Sequence, residues 1–355
     1  SEMCIRDRLI IKVIGVILLV TFLIYLFYSP RLKFDVLENP NKNSKTTKTE
    51  QFKQANKDAE NPKPKEGIGT WIGKDIKTLT HHYGQADRSY PYKNGLKNYV
   101  FKQKDEYYIV STNKGTITSV YATGKGVKVS PLKIGENSSH IFEDTSINPE
   151  PTVKTKGKTY KFEMSDEDLK TQTLIKYGDV YAQIYSDQQT NKILAVRFLD
   201  ANTLATLQPY KLNRVEDEGR ISESSEDKIP HEQNPNQLIT LYEVTNKMRE
   251  MKNLKSLKVN NDIARIAAIN LYEATDKGSD SVEFTENALT QQLDERHVSY
   301  KSASQNVGYD FDDVPTLIHS WINSDIHRSR LLSNKYDEMG GEVMSDYYSL
   351  IFVEK

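Results

Sequence analysis

The side chains able to do chemistry are few, and most of them gather near the C-terminus. Ser324 and His327 stand three residues apart, which on a helix puts a hydroxyl and an imidazole on one face. A hydrolase reading makes His327 the general base and Ser324 or Ser304 the nucleophile, with no orienting carboxylate evident beside them. Upstream lie Gln305 and Asn306. Gln305 is an amide and supplies neither negative charge nor a general base at neutral pH. Asn306 opens Asn306-Val307-Gly308, where its side chain can fix a turn by bonding the backbone. Catalytic zinc commonly takes three protein ligands and a water. One imidazole and one amide fall short of that, so no metal, cofactor or catalytic set is expected. His81 and His82 are adjacent rather than one helical turn apart, and read as surface residues rather than ligands of one ion.

The elements that must position these residues are helical first and strand-like last. Leu238, Leu241, Val244, Met248 and Met251 recur at helical spacing. A second helix starts near Asp262, capped by Asn261 and striped by Ile263, Ile266, Ala267 and Leu271. A third runs from Asn287 to Arg296, and a fourth carries Val314, Leu317, Ile318, Trp321 and Ile322, with Trp321 in the core. Arg328 and Arg330 read as solvated or paired with Asp325. The chain ends on two strand-like runs, 341–344 and 347–353. This order predicts an α+β layered domain over 237–355, not a βαβ sheet.

Residues 67–212 alternate like sheet. Runs at 99–101, 107–110 and 117–121, with a hairpin turn at Asn113-Lys114-Gly115, recur in type at 173–175, 180–185 and 193–198. Each set follows an Ile-Gly start, Ile72-Gly73 and Ile134-Gly135. The region therefore predicts a tandem repeat of a short helix and a three-stranded meander. It carries no phosphate loop, nucleophile elbow or metal-ligand spacing.

The remaining segments set the context. A net charge of -1 over 355 residues excludes a protein built to neutralise nucleic acid. The single cysteine, Cys4, excludes a disulfide framework, a zinc ribbon and an iron–sulfur site. Residues 9–28 are nearly all apolar, enough to cross a hydrocarbon core of ~30 Å. They lack a small-residue cleavage pattern and predict a transmembrane helix, with the lipid bilayer as a partner and the long polar body outside the cytoplasm. Residues 29–66 read as a disordered stalk, and 213–236 as an acidic linker between two separately folding units.

Four C-terminal fragments carry a further signal. Asn246-Lys247-Met248-Arg249, with Leu257 and the 263–267 run, is similar to a pattern N-x-x-R … L … L-x-x-x-A. Ser304-Gln305-Asn306-Val307-Gly308 stands in place of G-E-N-I-A, and the 321–332 run is similar to W-x-x-S-x-x-H-R-x-N-I-L. Tyr336 to Gly341 stands in place of F-x-x-x-G-x-G. Together they resemble the CAP superfamily of cysteine-rich secretory, antigen 5 and pathogenesis-related proteins. The upstream region and anchor resemble the Gram-positive bacterial arrangement in which a CAP-associated domain precedes the CAP module.

The resemblance implies an α-β-α layered domain with a central cleft, where family members often carry two histidines and acidic residues, in some binding a divalent metal. Only His327 is kept here. Gln305 replaces the carboxylate of G-E-N, and the F-S-H histidine has no counterpart in 280–284, where Glu283 is the sole substitute to consider. The residual cleft is then His327, Gln305, Asn306 and Ser324. His327 either lines that cleft or holds a helix start by hydrogen bonding. The leading reading is a membrane-anchored, extracytoplasmic CAP protein acting as a non-catalytic binding or interaction module for an envelope ligand, lipid or protein. The alternatives are a hydrolase or metal-dependent enzyme around His327, and an envelope sensor.

Overall fold

A computed structural model of the chain describes residues 16–20, 33–40, 60–217, 233–277 and 284–355. The 9–28 span lies outside the described residues apart from the helical 16–20. Among the described residues no helix is long and apolar enough to cross a membrane. The acidic 218–232 also lies outside them.

After a short strand β1 (Val36–Glu38), the middle region opens with α1 (Lys77–Tyr83), β2 (Arg88–Pro91), β3 (Lys97–Gln103), β4 (Glu106–Asn113) and β5 (Thr116–Thr123). It continues through α2 (His140–Asp144), β6 (Thr152–Thr155), β7 (Lys158–Glu163), α3 (Asp166–Thr171), β8 (Gln172–Tyr177), β9 (Val180–Asp187) and β10 (Lys192–Asp200). It ends with α4 (Ala201–Leu207) and β11 (Lys211–Asp217). Seven of these strands form one sheet in the order β2-β3-β4-β5-β10-β9-β8. Lys114 and Gly115, at φ 50° and 87°, form the β4–β5 hairpin turn.

The two expected meanders meet where β5 and β10 pair antiparallel. Their entries match bond for bond. Gly73 N donates to Ile117 O at 2.8 Å and Ile117 N to Lys74 O at 2.8 Å; Gly135 N donates to Ile193 O at 2.8 Å and Ile193 N to Glu136 O at 3.1 Å. An additional three-stranded sheet, β11-β7-β6, was not foreseen from the repeat. Its strand β11 carries the chain to Asp217, so the segment from 213 to 217 is sheet rather than linker.

The C-terminal region contains α5 (Pro235–Met251), β12 (Lys258–Val259), α6 (Asn261–Lys277), α7 (Glu286–Glu295) and β13 (Ser302–Tyr309). Next come α8 (Val314–Ile322), α9 (Asp325–Leu331), β14 (Glu338–Met344) and β15 (Tyr347–Glu354). The sheet runs β1-β13-β15-β14-β12. Helices α6 and α7 cover one face, burying Ile263, Ile266, Leu271 and Leu289 against Val307 and Ile351. Helices α5, α8 and α9 cover the other, burying Leu241, Leu317 and Leu331 against Leu350 and Phe352. This is an α-β-α layering. The cap of α6 is Asn260, whose Oδ1 accepts from Asp262 N at 2.9 Å, one residue before the expected Asn261. Gly340 lets α6 lie directly on β14, since a Cβ there would collide with the backbone of Ile263 and Ala264.

Two expectations change in three dimensions. First, beside a cluster of its own, each region shares a further core with the other. Tyr107, Ile109, Tyr121 and Tyr185 from the seven-stranded sheet share one apolar cluster with Leu241, Val244, Ile318 and Trp321. The opposite face of that sheet buries Phe101, Tyr108, Ile184 and Phe198 in a second cluster, so β9 is buried along its whole length. Second, the 29–66 stretch is not stalk throughout. Residues 36–38 pair in parallel with 307–309, and Asn61 exchanges side-chain bonds with the Ser146 backbone at 2.8 and 2.9 Å. Phe34 and Leu37 supply apolar surface that the polar average of the stretch conceals.

Candidate functional site

The His327 site is built where α8 ends and α9 begins. Asp313 starts α8 by accepting from Thr316 N at 2.9 Å. Asn323 ends it, its amide donating to His319 O at 2.9 Å and to Ser186 O of β9 at 2.8 Å. The chain turns there, and one turn of α9 brings Ser324 under His327.

The imidazole is 2 % exposed. Its Nε2 lies 3.0 Å from the carbonyl oxygen of Asp35, and its Nδ1 lies 2.9 Å from Ser324 Oγ. A carbonyl only accepts, so Nε2 carries the proton and Nδ1 accepts from the Ser324 hydroxyl. The ring lies parallel to Trp321, interplanar angle 2°. Burial lowers the His327 pKa to about 4, and the imidazole is neutral at physiological pH.

Asn306 joins this group. Its Nδ2 donates to the His327 carbonyl at 2.9 Å. Gln305 does not. Neighbours on a strand point to opposite faces, and Gln305 Nε2 donates to Ser349 Oγ at 2.8 Å on the α6 side of the sheet. Of the four residues read as one cleft, Asn306, Ser324 and His327 come together and Gln305 is separated by the sheet itself. Glu283 lies outside the described residues.

A metal ion does not fit this arrangement. The Nδ1 lone pair takes the serine proton, and Nε2 is turned to the chain's own backbone. Among the described residues no three His, Cys, Asp or Glu side chains are placed to hold an ion. His81 and His82 are exposed, with His82 edge-on to Tyr83.

The arginines beside His327 have different partners from those expected. Arg328 forms a bidentate pair with Asp187 of β9 at 2.9 and 3.0 Å. Lys252 adds a third contact to Asp187 at 2.6 Å. Burial opposes ionisation of Asp187, but these bonds outweigh it and hold its pKa at about 2. Arg330 donates to Gln305 O at 3.0 Å and lies 4.9 Å over the Phe34 ring. Asp325 instead accepts from Gln189 at 2.7 Å.

Several residues at this junction escaped the sequence reading. His319, buried between the regions, bonds Tyr121 at 2.9 Å and stacks on Tyr185. Arg197 pairs with Asp313 at 2.6 Å, both almost fully buried. The only local hint was polar residues inside apolar runs, such as Arg197 in 193–198 and His319 in 314–322. For Phe34, Asp35 and Asn39 the hint was the three apolar residues Phe34, Val36 and Leu37 shortly before Pro40.

The folded chain combines a β-rich region with an α-β-α domain bearing the S-x-x-H turn. It matches the CAP-associated N-terminal family over residues 72–210 and the cysteine-rich secretory protein family over 242–353. The chain belongs to the cysteine-rich secretory protein family. It is 65% identical to a cysteine-rich secretory protein from Staphylococcus aureus subsp. aureus Mu50, with a TM-score of 0.80 over 92% of this chain and 100% of that one. An extracellular protein containing a SCP domain from Bacillus anthracis shares the fold at 24% identity and a TM-score of 0.73, over 87% of this chain and 100% of that one. The "uncharacterized membrane protein YlbC" of Bacillus subtilis is 28% identical over 305 residues, 82% of this chain and 85% of its own.

Proposed function

We propose that the protein is a membrane-tethered, extracytoplasmic interaction module whose CAP domain does no catalysis. One observation carries the second half: both ring nitrogens of His327 are engaged within the protein, by Ser324 and by the Asp35 carbonyl. The first half is supported by the apolar 9–28 run and by relatives named as a membrane protein and an extracellular protein.

The hydrolase alternative has one observation in its favour, the 2.9 Å Ser324–His327 contact in the tautomer a base would use. Against it, burial depresses the imidazole pKa to about 4, well below that of a base poised for neutral pH. The group orienting the ring is a carbonyl, which stabilises an imidazolium less than a carboxylate does. Treating the full-length protein with a fluorophosphonate probe is expected to leave Ser324 unlabelled. Labelling that is lost in His327→Ala would overturn the non-catalytic reading. Protease applied to intact, wall-stripped cells is expected to digest the body, and a protected body would overturn its placement.

A further inference from the structure

The groove above His327 is filled by a peptide, and that peptide is the chain's own. Residues 33–40 lie along the free edge of β13, with Val36, Leu37 and Glu38 parallel to Val307, Gly308 and Tyr309. Backbone bonds close both ends: Phe34 N donates to Phe284 O at 2.6 Å, and Asn39 N to Tyr309 O at 3.1 Å. Three side chains anchor the segment. Phe34 is buried beneath the Arg330 guanidinium, Leu37 is half-buried on the α8 side of the core, and Asn39 is buried with its amide on Asp310 O at 3.0 Å. Asp35, Val36 and Glu38 are exposed. His327 adds a side-chain contact to the segment's backbone, at the Asp35 carbonyl, that is indifferent to the identity of residue 35.

Recognition by backbone pairing plus pockets for alternate side chains is the physics of strand addition to a sheet edge. The segment is also a weak element by construction. It has three ladder-paired residues and one bridge at Lys33, lies at an edge, and leaves half of its side chains in water, which places it at the low end of local stability. We infer that the β13 edge beside His327 and Arg330 is a binding site for an extended peptide of another protein, with an aromatic, an aliphatic and an amide side chain in the spacing F-x-x-L-x-N. Residues 33–40 are its resident, displaceable occupant. This deepens the interaction-module reading by naming a partner chemistry at the same site, and its test reads peptide binding rather than serine reactivity.

Because the resident segment is covalently attached, it competes with an outside peptide as an intramolecular ligand at a fixed effective concentration. An outside peptide must therefore bind an intact groove much more weakly than an emptied one. The probe is a fluorescein-labelled synthetic peptide of residues 31–41, added to the full-length protein in detergent and followed by anisotropy. The Phe34→Ala/Asn39→Ala variant, checked by its circular dichroism, is expected to bind it at least tenfold more tightly than the unaltered chain does. A probe peptide carrying the same two alanines is expected to lose binding. If the double variant unfolds, a protease site placed within 41–59 of the unaltered sequence is to be cut, and exchange of the released segment for the labelled peptide measured instead. A folded double variant or a cut chain that ignores the peptide, or that binds a scrambled peptide equally, would overturn the inference. So would concentration-dependent dimerisation of the unaltered chain that is lost in the double variant, which would make a second copy the occupant.

Discussion

His327 Nε2 and the carbonyl oxygen of Asp35 are 3.0 Å apart in space and 292 residues apart in sequence. The bond joins the centre of the CAP domain to the segment just after the apolar 9–28 run, across the whole CAP-associated region in sequence. It fixes the imidazole tautomer and leaves Nδ1 to accept from Ser324. Ser324, His327 and Asp35 thus form one chain of hydrogen bonds that ties the β1 segment to the CAP domain.

Asp187 is expected to hold the two regions together. Its carboxylate is fully buried between Arg328 and Lys252, and removing the charge leaves two cations without their counter-ion. Asp187→Asn is expected to destabilise the protein by about 3 kcal/mol, as for breaking a buried pair from one side. Calorimetry of the unaltered protein is expected to show one transition for both regions because they share a core. Two separated transitions would show that the core does not couple them.

Acid is expected to weaken the fold through its buried histidines. Burial lowers the His327 pKa to about 4, and burial together with Arg197 lowers that of His319 to about 3. In the unfolded chain both titrate near 6.5. As pH falls below 6.5 the unfolded state binds protons that the folded state refuses, so stability is lost over that window and is flat above it. By pH 5 the loss is about 2 kcal/mol per histidine, partly offset by Asp168 and Glu342, whose carboxyl pKa values burial raises. Urea midpoints at pH 7.5, 6 and 5 measure it. His327→Gln is expected to halve the slope, and a slope unchanged in that variant would refute the assignment.

Arg249 is expected to be a structural staple. It is fully buried and donates to the carbonyls of Lys255, Leu331 and Ser333 at 2.9, 2.9 and 2.7 Å. Two of these lie at the end of α9, where a cation also complements the helix dipole. Arg249→Met keeps much of the bulk but removes the donor from three carbonyls, one in a buried bond and two in partly buried ones, and a buried acceptor left unpaired costs about 1 to 3 kcal/mol. A loss of at least ~3 kcal/mol is expected by urea unfolding, and a change below 1 would refute the role.

What the sequence determined by itself was local. The stripe Ile263, Ile266, Ala267, Leu271 is one face of α6, and Asn113-Lys114-Gly115 is a hairpin because Lys114 and Gly115 adopt positive φ. Both signals are carried by residues within a turn or two of each other, so they were legible without the fold. The S-x-x-H spacing likewise brought Ser324 under His327. Tertiary structure alone decided what those side chains meet. Whether Gln305 faces His327 depends on which side of a strand it occupies, a parity set by register rather than residue type. Why β9 holds Gln183 and Asp187 inside an otherwise apolar run is explained only when the CAP domain covers that face of the sheet. The groove was least legible of all. Residues 33–40 are too short and polar to order themselves, and their structure comes from an edge that the chain completes almost three hundred residues later.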